Sequence, residues 1–279
     1  MSRRHDLEWR RHQLNDLNKI LGSIKALAFM ETRKIGNMIG SLHGLVRQIE
    51  NTAATFLAFH PEFRAEQPGT TVTVVIGSER GFCGDFNERL LPALPETKGP
   101  VIAVGRKLEA LLAGHHDHLT LLPGSNIAEE TSDVLGKLTE RLSTLSQQEG
   151  SLALSVLYQA DDQEAPTLTP LLPPFTHLAL PPAQGLPPYL NLSPAAFFAG
   201  LTEQYVFASL NRMLYSALLA ENHRRVQHLE GAVRHLQEHA SALGQKLNTL
   251  RQEEITEEIE VILLSAEPGF DATKPPGQP

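Results

Sequence analysis

Val226-Gln-His-Leu-Glu-Gly-Ala-Val-Arg-His-Leu-Gln-Glu-His-Ala-Ser-Ala-Leu-Gly-Gln-Lys-Leu-Asn-Thr-Leu250 is the stretch on which the reading of the fold turns. In steps of three and four it presents Val226, Leu229, Val233, Leu236, Ala240, Leu243, Leu247 and Leu250, apolar at every step. In a chain that is 41% hydrophobic, chance produces such a run in roughly one frame in a thousand, so it reads as a helix with one apolar seam. A second seam lies near the other end: Leu14, Leu17, Leu21, Ile24, Ala28, Glu31, Ile35, Met38, Leu42, Leu45, Ile49, Thr52 and Phe56, with only Glu31 and Thr52 polar. The two segments, Leu7 to Phe59 and Ala195 to Glu267, contain no proline. At about 1.5 Å per residue they extend on the order of 80 Å and 105 Å. Each seam needs a partner, and the economical arrangement pairs them with each other, antiparallel, the longer overhanging the shorter.

Between the seams the texture changes. Short apolar runs, Val72 to Ile76, Val101 to Val104, Leu119 to Leu122 and Leu152 to Tyr158, alternate with helical stretches, of which Ile127 to Leu145 is the clearest. That alternation predicts a small α/β domain. Pro61 and Pro68 separate it from the first helix, and Pro173, Pro174, Pro181, Pro182, Pro187 and Pro188 form an extended connector before the last one. The expected division is 1–59 for the first helix, 70–190 for the α/β domain, 195–267 for the last helix and 268–279 for a flexible tail.

Composition excludes several functions. A net charge of -8 argues against nucleic acid or anionic lipid as the main partner. The single cysteine, Cys83, rules out an intrachain disulfide and every multi-cysteine zinc pattern. The charged opening Met-Ser-Arg-Arg-His-Asp is unlike a signal peptide, and no segment approaches the roughly 20 apolar residues of a membrane span, so membrane attachment is expected only through a partner. Beyond Leu250 the seam slips to Ile255, Ile259 and Ile262, and Val261, Leu263 and Leu264 make the last turns apolar nearly all round. Such a tip calls for a surrounding sleeve. At the other end Arg3, Arg4 and His5 recur as Arg10, Arg11 and His12, two basic clusters on one helical face that should meet acid or water.

Signs of chemistry are few. Gly77-Ser-Glu-Arg-Gly81-Phe-Cys-Gly84 follows a predicted strand, where a phosphate-binding turn would lie. Its spacing is GxxxGxxG, it lacks a Lys followed by Ser or Thr, and Gly105 and Arg106 stand where an acid would end the next strand. A tight turn is the better reading, with Asp85 or Asn87 capping the helix that follows. His115, His116, Asp117 and His118 read as a solvated loop, because consecutive strand-edge residues alternate in direction and cannot converge on a metal. His228, His235 and His239 fall off the seam, and Asp161, Asp162 and Glu164 form an acidic turn with no nearby base or nucleophile. Cys83 has only Arg80 nearby to activate it and is expected to pack. No cofactor and no metal are expected.

Three segments resemble one family, the gamma subunits of rotary F-type ATP synthases. Lys25-Ala-Leu-Ala-Phe-Met-Glu-Thr-Arg-Lys34 is similar to its N-terminal pattern Lys-Ala-Met-x-Met-Val-Ala-Ala-x-Lys. Ser78-Glu-Arg-Gly-Phe-Cys-Gly-Asp-Phe-Asn87 is similar to Ser-Asp-Arg-Gly-Leu-Cys-Gly-Gly-Leu-Asn. Arg251-Gln252, Ile255-Thr256 and Glu258-Ile259 resemble the terminal Arg-Gln-x-x-Ile-Thr-x-Glu-Ile, and Leu214 to Asn222 looks like the stretch where the final helix enters the coiled coil. Departures stand at Leu27, Glu31, Thr32, Asp85, Leu263 and Leu264, and the chain runs on through Gly269 to Pro279. They mark a divergent member, as expected of a second ATPase set such as the sodium-pumping N-type.

The resemblance implies an α/β fold class: a long antiparallel coiled coil of N- and C-terminal helices with a central Rossmann-like α/β domain. It implies a non-catalytic shaft turning inside a hexamer of alpha and beta subunits, with the α/β domain resting beside an epsilon subunit on a membrane c-ring. Such a chain would be peripheral, on the cytoplasmic side of the cell inner membrane. Contacts to the hexamer would fall on Lys25, Leu27, Met30 and Lys34 of the first helix and on Arg251, Gln252, Thr256 and Glu258 of the last. A coiled-coil adaptor or chaperone with an α/β insert would share the seams, but not the matches at Arg80 to Asn87 and Arg251 to Ile259.

Overall fold

Thr70-Thr-Val-Thr-Val-Val-Ile76 is β-branched at every position, the composition of a strand walled in on both faces. In the computed structural model, which describes residues 3–64, 69–96, 99–114, 118–161, 163 and 165–266, this segment is strand β1. Val101–Val104 is β2, Leu119–Leu122 is β3, Leu152–Tyr158 is β4 and Thr167–Pro170 is β5. The sheet order is β3-β2-β1-β4-β5, parallel except for β5, which runs antiparallel to β4. Sequence reading found the first four and missed β5, a four-residue edge strand of alternating exposure closed by a proline, too short and too polar to signal itself.

The helices are α1 at Arg3–Phe59, α2 at Glu109–Leu112, α3 at Thr131–Glu149 and α4 at Pro194–Ala266. On one face of the sheet Val72, Val74, Ile76, Ile102 and Val156 form the main core with α3. α3 contributes Val134, Leu135, Leu138, Leu142 and Leu145 at helical spacing, each worth about 1.5–3 kcal/mol when fully buried. On the other face Val75, Ala103 and Leu157 pack against Leu90, Leu108 and Leu112. The predicted helix at Ile127 to Leu145 opens with a 3-10 turn, Ala128–Glu130, and its α-helix runs on to Glu149, where Gly150 at φ 81° ends it.

The chain divides into two compact units, residues 24–229 and residues 1–23 with 230–279. In the larger unit α1 and α4 run antiparallel: Phe56 packs on Phe197 and Phe198 at 5.1 and 5.9 Å between ring centres, whereas Ile35, earlier on α1, shares a cluster with Tyr215, Leu218 and Leu219, later on α4. The sheltered face of α1 includes Ala28, Thr32, Ile35, Ile39, Leu42, Val46, Ile49, Ala53 and Phe56. Half of the seam read from sequence is therefore displaced by one residue. Ala28, Ile35, Leu42, Ile49 and Phe56 are right, but the intervening positions are Thr32, Ile39, Val46 and Ala53, and Glu31, Met38, Leu45 and Thr52 lie outside or at the margin. Steps of three then four and of four then three have the same mean period, and apolar Met38 and Leu45 pull the count toward the wrong alternative.

In the smaller unit the two helix segments are also antiparallel: Arg4 on α1 pairs with Glu254 on α4 at 2.9 Å, and Arg11 lies beside Gly244. Here Leu247 is buried, and Val233, Leu236, Ala240, Leu243 and Leu250 are all partly sheltered. His235 and His239 are exposed, as their place off the seam predicts. The proline-rich stretch from Pro173 to Pro188 forms neither helix nor strand. No described helix is long and apolar enough to cross a membrane. The expectations for Pro68, for His115, His116 and Asp117, for Asp162 and Glu164, for the Arg3 side chain and for the tail from Glu267 lie outside the described residues.

Candidate functional site

The turn after β1 is closed by its own side chains. A Cβ on Gly77 would come within 2.5 Å of Leu108 Cγ, so only glycine lets the chain leave the strand there. Phe82 and Gly84, at φ 65° and 62°, bend it back. Asn87 does not cap the following segment: its backbone is helical, it makes no side-chain capping bond, and Glu88–Ala93 is a 3-10 helix. Instead its Oδ1 accepts from the Ser78 N–H at 2.9 Å and its Nδ2 donates to Ser78 Oγ at 2.8 Å. Cys83 donates its thiol to the same hydroxyl at 3.4 Å, and burial pushes that thiol's pKa up, so it packs and is not activated.

Glu79 ties this turn to the neighbouring strands. Its Oε2 accepts from the Gly124 N–H at 2.7 Å and the Arg106 N–H at 3.1 Å, and its Oε1 meets Arg106 Nε at 3.0 Å. These donors follow β3 and β2, at the carboxyl ends of parallel strands, where an open sheet of this kind ordinarily receives a ligand's anion. Here the chain provides the anion from within.

Strand order reverses between β1 and β4, which makes the crevice beyond their carboxyl ends the switch point of the sheet. α4 fills it with Glu221, Asn222 and Arg225, all buried. The Arg225 guanidinium donates to the carbonyl oxygens of Gly81 at 3.2 Å and Arg80 at 3.5 Å, to Asn222 Oδ1 at 2.9 Å, and to the Glu221 carboxylate. Burial is the largest influence on Glu221 and raises its pKa to about 7, against the opposing pull of Arg225. His223 pairs with Asp161 of the loop after β4. Sequence reading missed this cluster. The available signal was Glu221 and Arg225 one helical turn apart, just after the apolar run Ala217 to Ala220.

On α1, Lys25 is half-buried, while Leu27 and Met30 are 62% and 65% exposed. Lys34 turns toward the sheet domain and bonds Glu129, which raises its pKa. Beside it Glu31, one of the departures, accepts from the Ala128 N–H at 3.0 Å, and Tyr215 Oη donates to the Ala128 carbonyl at 3.1 Å. The structure thus puts Leu27 and Met30 in the open but engages Lys34 internally.

In the smaller unit Arg251, Gln252, Thr256 and Glu258 are all exposed. The Thr256 hydroxyl donates to the Gln252 carbonyl at 2.9 Å. Arg251 lines a polar cavity of about 460 Å³ with Arg4, Glu8, Arg11 and Lys19. The basic clusters meet acid where they are described: Arg4 bridges Glu8 and Glu254, and Arg10 pairs with Asp6. Beyond them Ile255, Ile259, Val261, Ile262, Leu263 and Leu264 are all exposed, Leu264 to 74%.

A mostly parallel sheet whose crevice is filled by the chain's own side chains, together with long helices that leave apolar side chains in the open, defines the class of protein: an α/β sheet domain flanked by antiparallel helices. A sequence model of the ATP synthase family matches residues 4–268. An ATP synthase gamma chain of Lachnoclostridium phytofermentans is 23% identical over 295 residues, covering 95% of this chain and 99% of that one. Among solved structures, a chain of the rotor of the Euglena gracilis mitochondrial ATP synthase in rotational state 1 superposes with a TM-score of 0.61 at 15% identity, over 90% of this chain and 98% of that one. A chain from the central stalk and c-ring of the Tetrahymena thermophila mitochondrial ATP synthase gives 0.52 at 18% identity, over 76% and 99%. The chain belongs to the ATP synthase family, and its likeness there is to the gamma chains.

Proposed function

We infer that this chain is the rotating central stalk of a membrane rotary ATP synthase, coupling ion translocation to ATP synthesis or hydrolysis on partner subunits. The observation that carries the reading is the family match from residue 4 to residue 268, across both helices and the sheet between them. The chain makes and breaks no bond itself. Its partners are the hexamer of alpha and beta subunits around the helices, and an epsilon subunit and c-ring beside the sheet domain, so it sits peripherally on the membrane. Paired helices resist bending and twisting better than one, and an asymmetric shaft contacts each catalytic site differently. Rotation then becomes a difference in nucleotide affinity, since a contact shifts an equilibrium only by its differential interaction with the two states.

Within this reading Leu27 and Met30 offer apolar contact to the hexamer and Lys25 a charge, while Lys34 contributes by fixing α1 to the sheet domain. Arg251, Gln252, Thr256 and Glu258 offer polar contacts next to the apolar tip. The test is to purify the chain with its alpha and beta subunits and watch a probe fixed to the sheet domain. Stepwise, ATP-driven rotation is expected. A chain that co-purifies but never rotates, or that joins no nucleotide-binding subunits, overturns the reading in favour of an adaptor.

A further inference from the structure

The crevice between β1 and β4 has a property the family assignment does not explain. A buried ion pair is a weak source of stability, because desolvating both charges offsets their attraction, and apolar residues of similar volume often serve as well. What such a pair supplies is direction. Apolar contacts tolerate sliding, whereas a guanidinium held at several donors by a carboxylate, an amide and two backbone carbonyls has one position. Arg225 is held in this way on α4, by Glu221 and Asn222, and grips Arg80 and Gly81 on the turn. The turn is itself tied down on two sides, since Glu79 binds it to the loops after β2 and β3 and Asn87 closes it on Ser78. A force on the sheet at its crest, the carboxyl ends of β1 and β4 with the turn after β1, therefore reaches α4 through Arg225.

We propose that Arg225, fixed by Glu221, is a clamp through which the sheet domain and α4 turn as one body, making both residues positioning residues for coupling. The proposal rests on the central-stalk reading. Around the Glu221 carboxylate stand Arg225 from its own helix and Glu79, Arg80 and Cys83 from the turn. Burial is the main cause that raises the Glu221 pKa, Arg225 opposes it, and Glu79 adds a smaller rise. When Glu221 takes up a proton, Arg225 keeps only neutral partners and its buried charge loses its counter-ion. The clamp is therefore firm above neutral pH and loosens as pH falls through about 7.

The experiment uses the whole complex in sealed vesicles, with ATP hydrolysis and ion pumping measured together from about pH 6 to about pH 8, around the Glu221 transition. Arg225→Met is expected to leave hydrolysis within about two-fold and to lower ions pumped per ATP several-fold. Arg225→Lys should recover part of that loss, because an ammonium pairs with Glu221 but cannot reach both carbonyls. Glu221→Gln should flatten the wild-type fall in pumping per ATP on the acid side of neutrality, an effect that general loosening of the fold would not produce. If Arg225→Met fails to assemble, Glu221→Gln decides alone. Wild-type pumping per ATP in Arg225→Met, or a wild-type pH profile in Glu221→Gln, overturns the clamp. A wild-type complex that hydrolyses ATP without pumping overturns the central-stalk reading instead.

Discussion

The crest of the sheet and the tip of α4 handle polarity in opposite ways. At the crest, charged groups are buried and each has a partner: Arg225 with Glu221, Asn222 and two carbonyls, Glu79 with two N–H groups and Arg106. At the tip, six large apolar side chains between Ile255 and Leu264 face solvent. A buried charge without a partner and an exposed apolar patch are both unfavourable. The crest offsets its cost inside the chain, and the tip does not. Internal completion marks where the chain holds itself together, and incompleteness marks where the central-stalk reading expects it to be held.

The largest effect expected from that contrast is on the tip. Removing the chain after Leu250 should abolish firm seating of the shaft, lowering both complex stability and ions pumped per ATP, while part of the hydrolysis on partner subunits persists. At roughly 25 cal/mol per Å², the lost apolar burial amounts to several kcal/mol. Unchanged pumping and unchanged complex stability, measured on the reconstituted truncation, would show that the tip is not a bearing surface.

A smaller effect tests which side of α1 faces inward. Val46→Ser should destabilise the free chain by about 2–3 kcal/mol in a urea melt, whereas Leu45→Ser should fall within about 0.5 kcal/mol. Equal costs would mean that the register of the buried face is wrong.

The crest also makes a pH prediction for the isolated chain. The folded Glu221 pKa is raised from 4.5 to about 7, so its contribution to stability is fully present below about pH 4.5 and lost as pH rises through about 7. Glu221→Gln should remove that slope from melts taken across the interval. The same proton that relieves the buried carboxylate withdraws the counter-ion of Arg225, which is why stability and clamping respond to acid in opposite directions. A slope that survives the substitution assigns it to another group.

The smallest effect on the free chain is again at the tip. Leu263→Ser with Leu264→Ser should leave its melting unchanged within about 0.5 kcal/mol and make it more soluble. A clear loss of stability by calorimetry would mean that these side chains are already packed inside the chain.

Periodicity and composition determined much of this protein by themselves. Eight seam positions between Val226 and Leu250, four apolar strands and a proline-rich break are patterns in one dimension, and the helix and strand periods carry them directly into structure. The exposed tip was legible for the same reason, since an all-round apolar helix has no face to hide. Three things only the tertiary structure decided. The seam of α1 alternates four then three, because its inward face depends on which residues the partner helix and the sheet meet, and Met38 and Leu45 satisfy the pattern without being buried. Asn87 closes the glycine turn on Ser78 where sequence expected a cap, because a side-chain amide bonds whichever donors the turn presents. Arg225 meets Gly81 across 144 positions of chain, a distance that no local pattern spans; only folding of the sheet domain against α4 brings a guanidinium to those carbonyls.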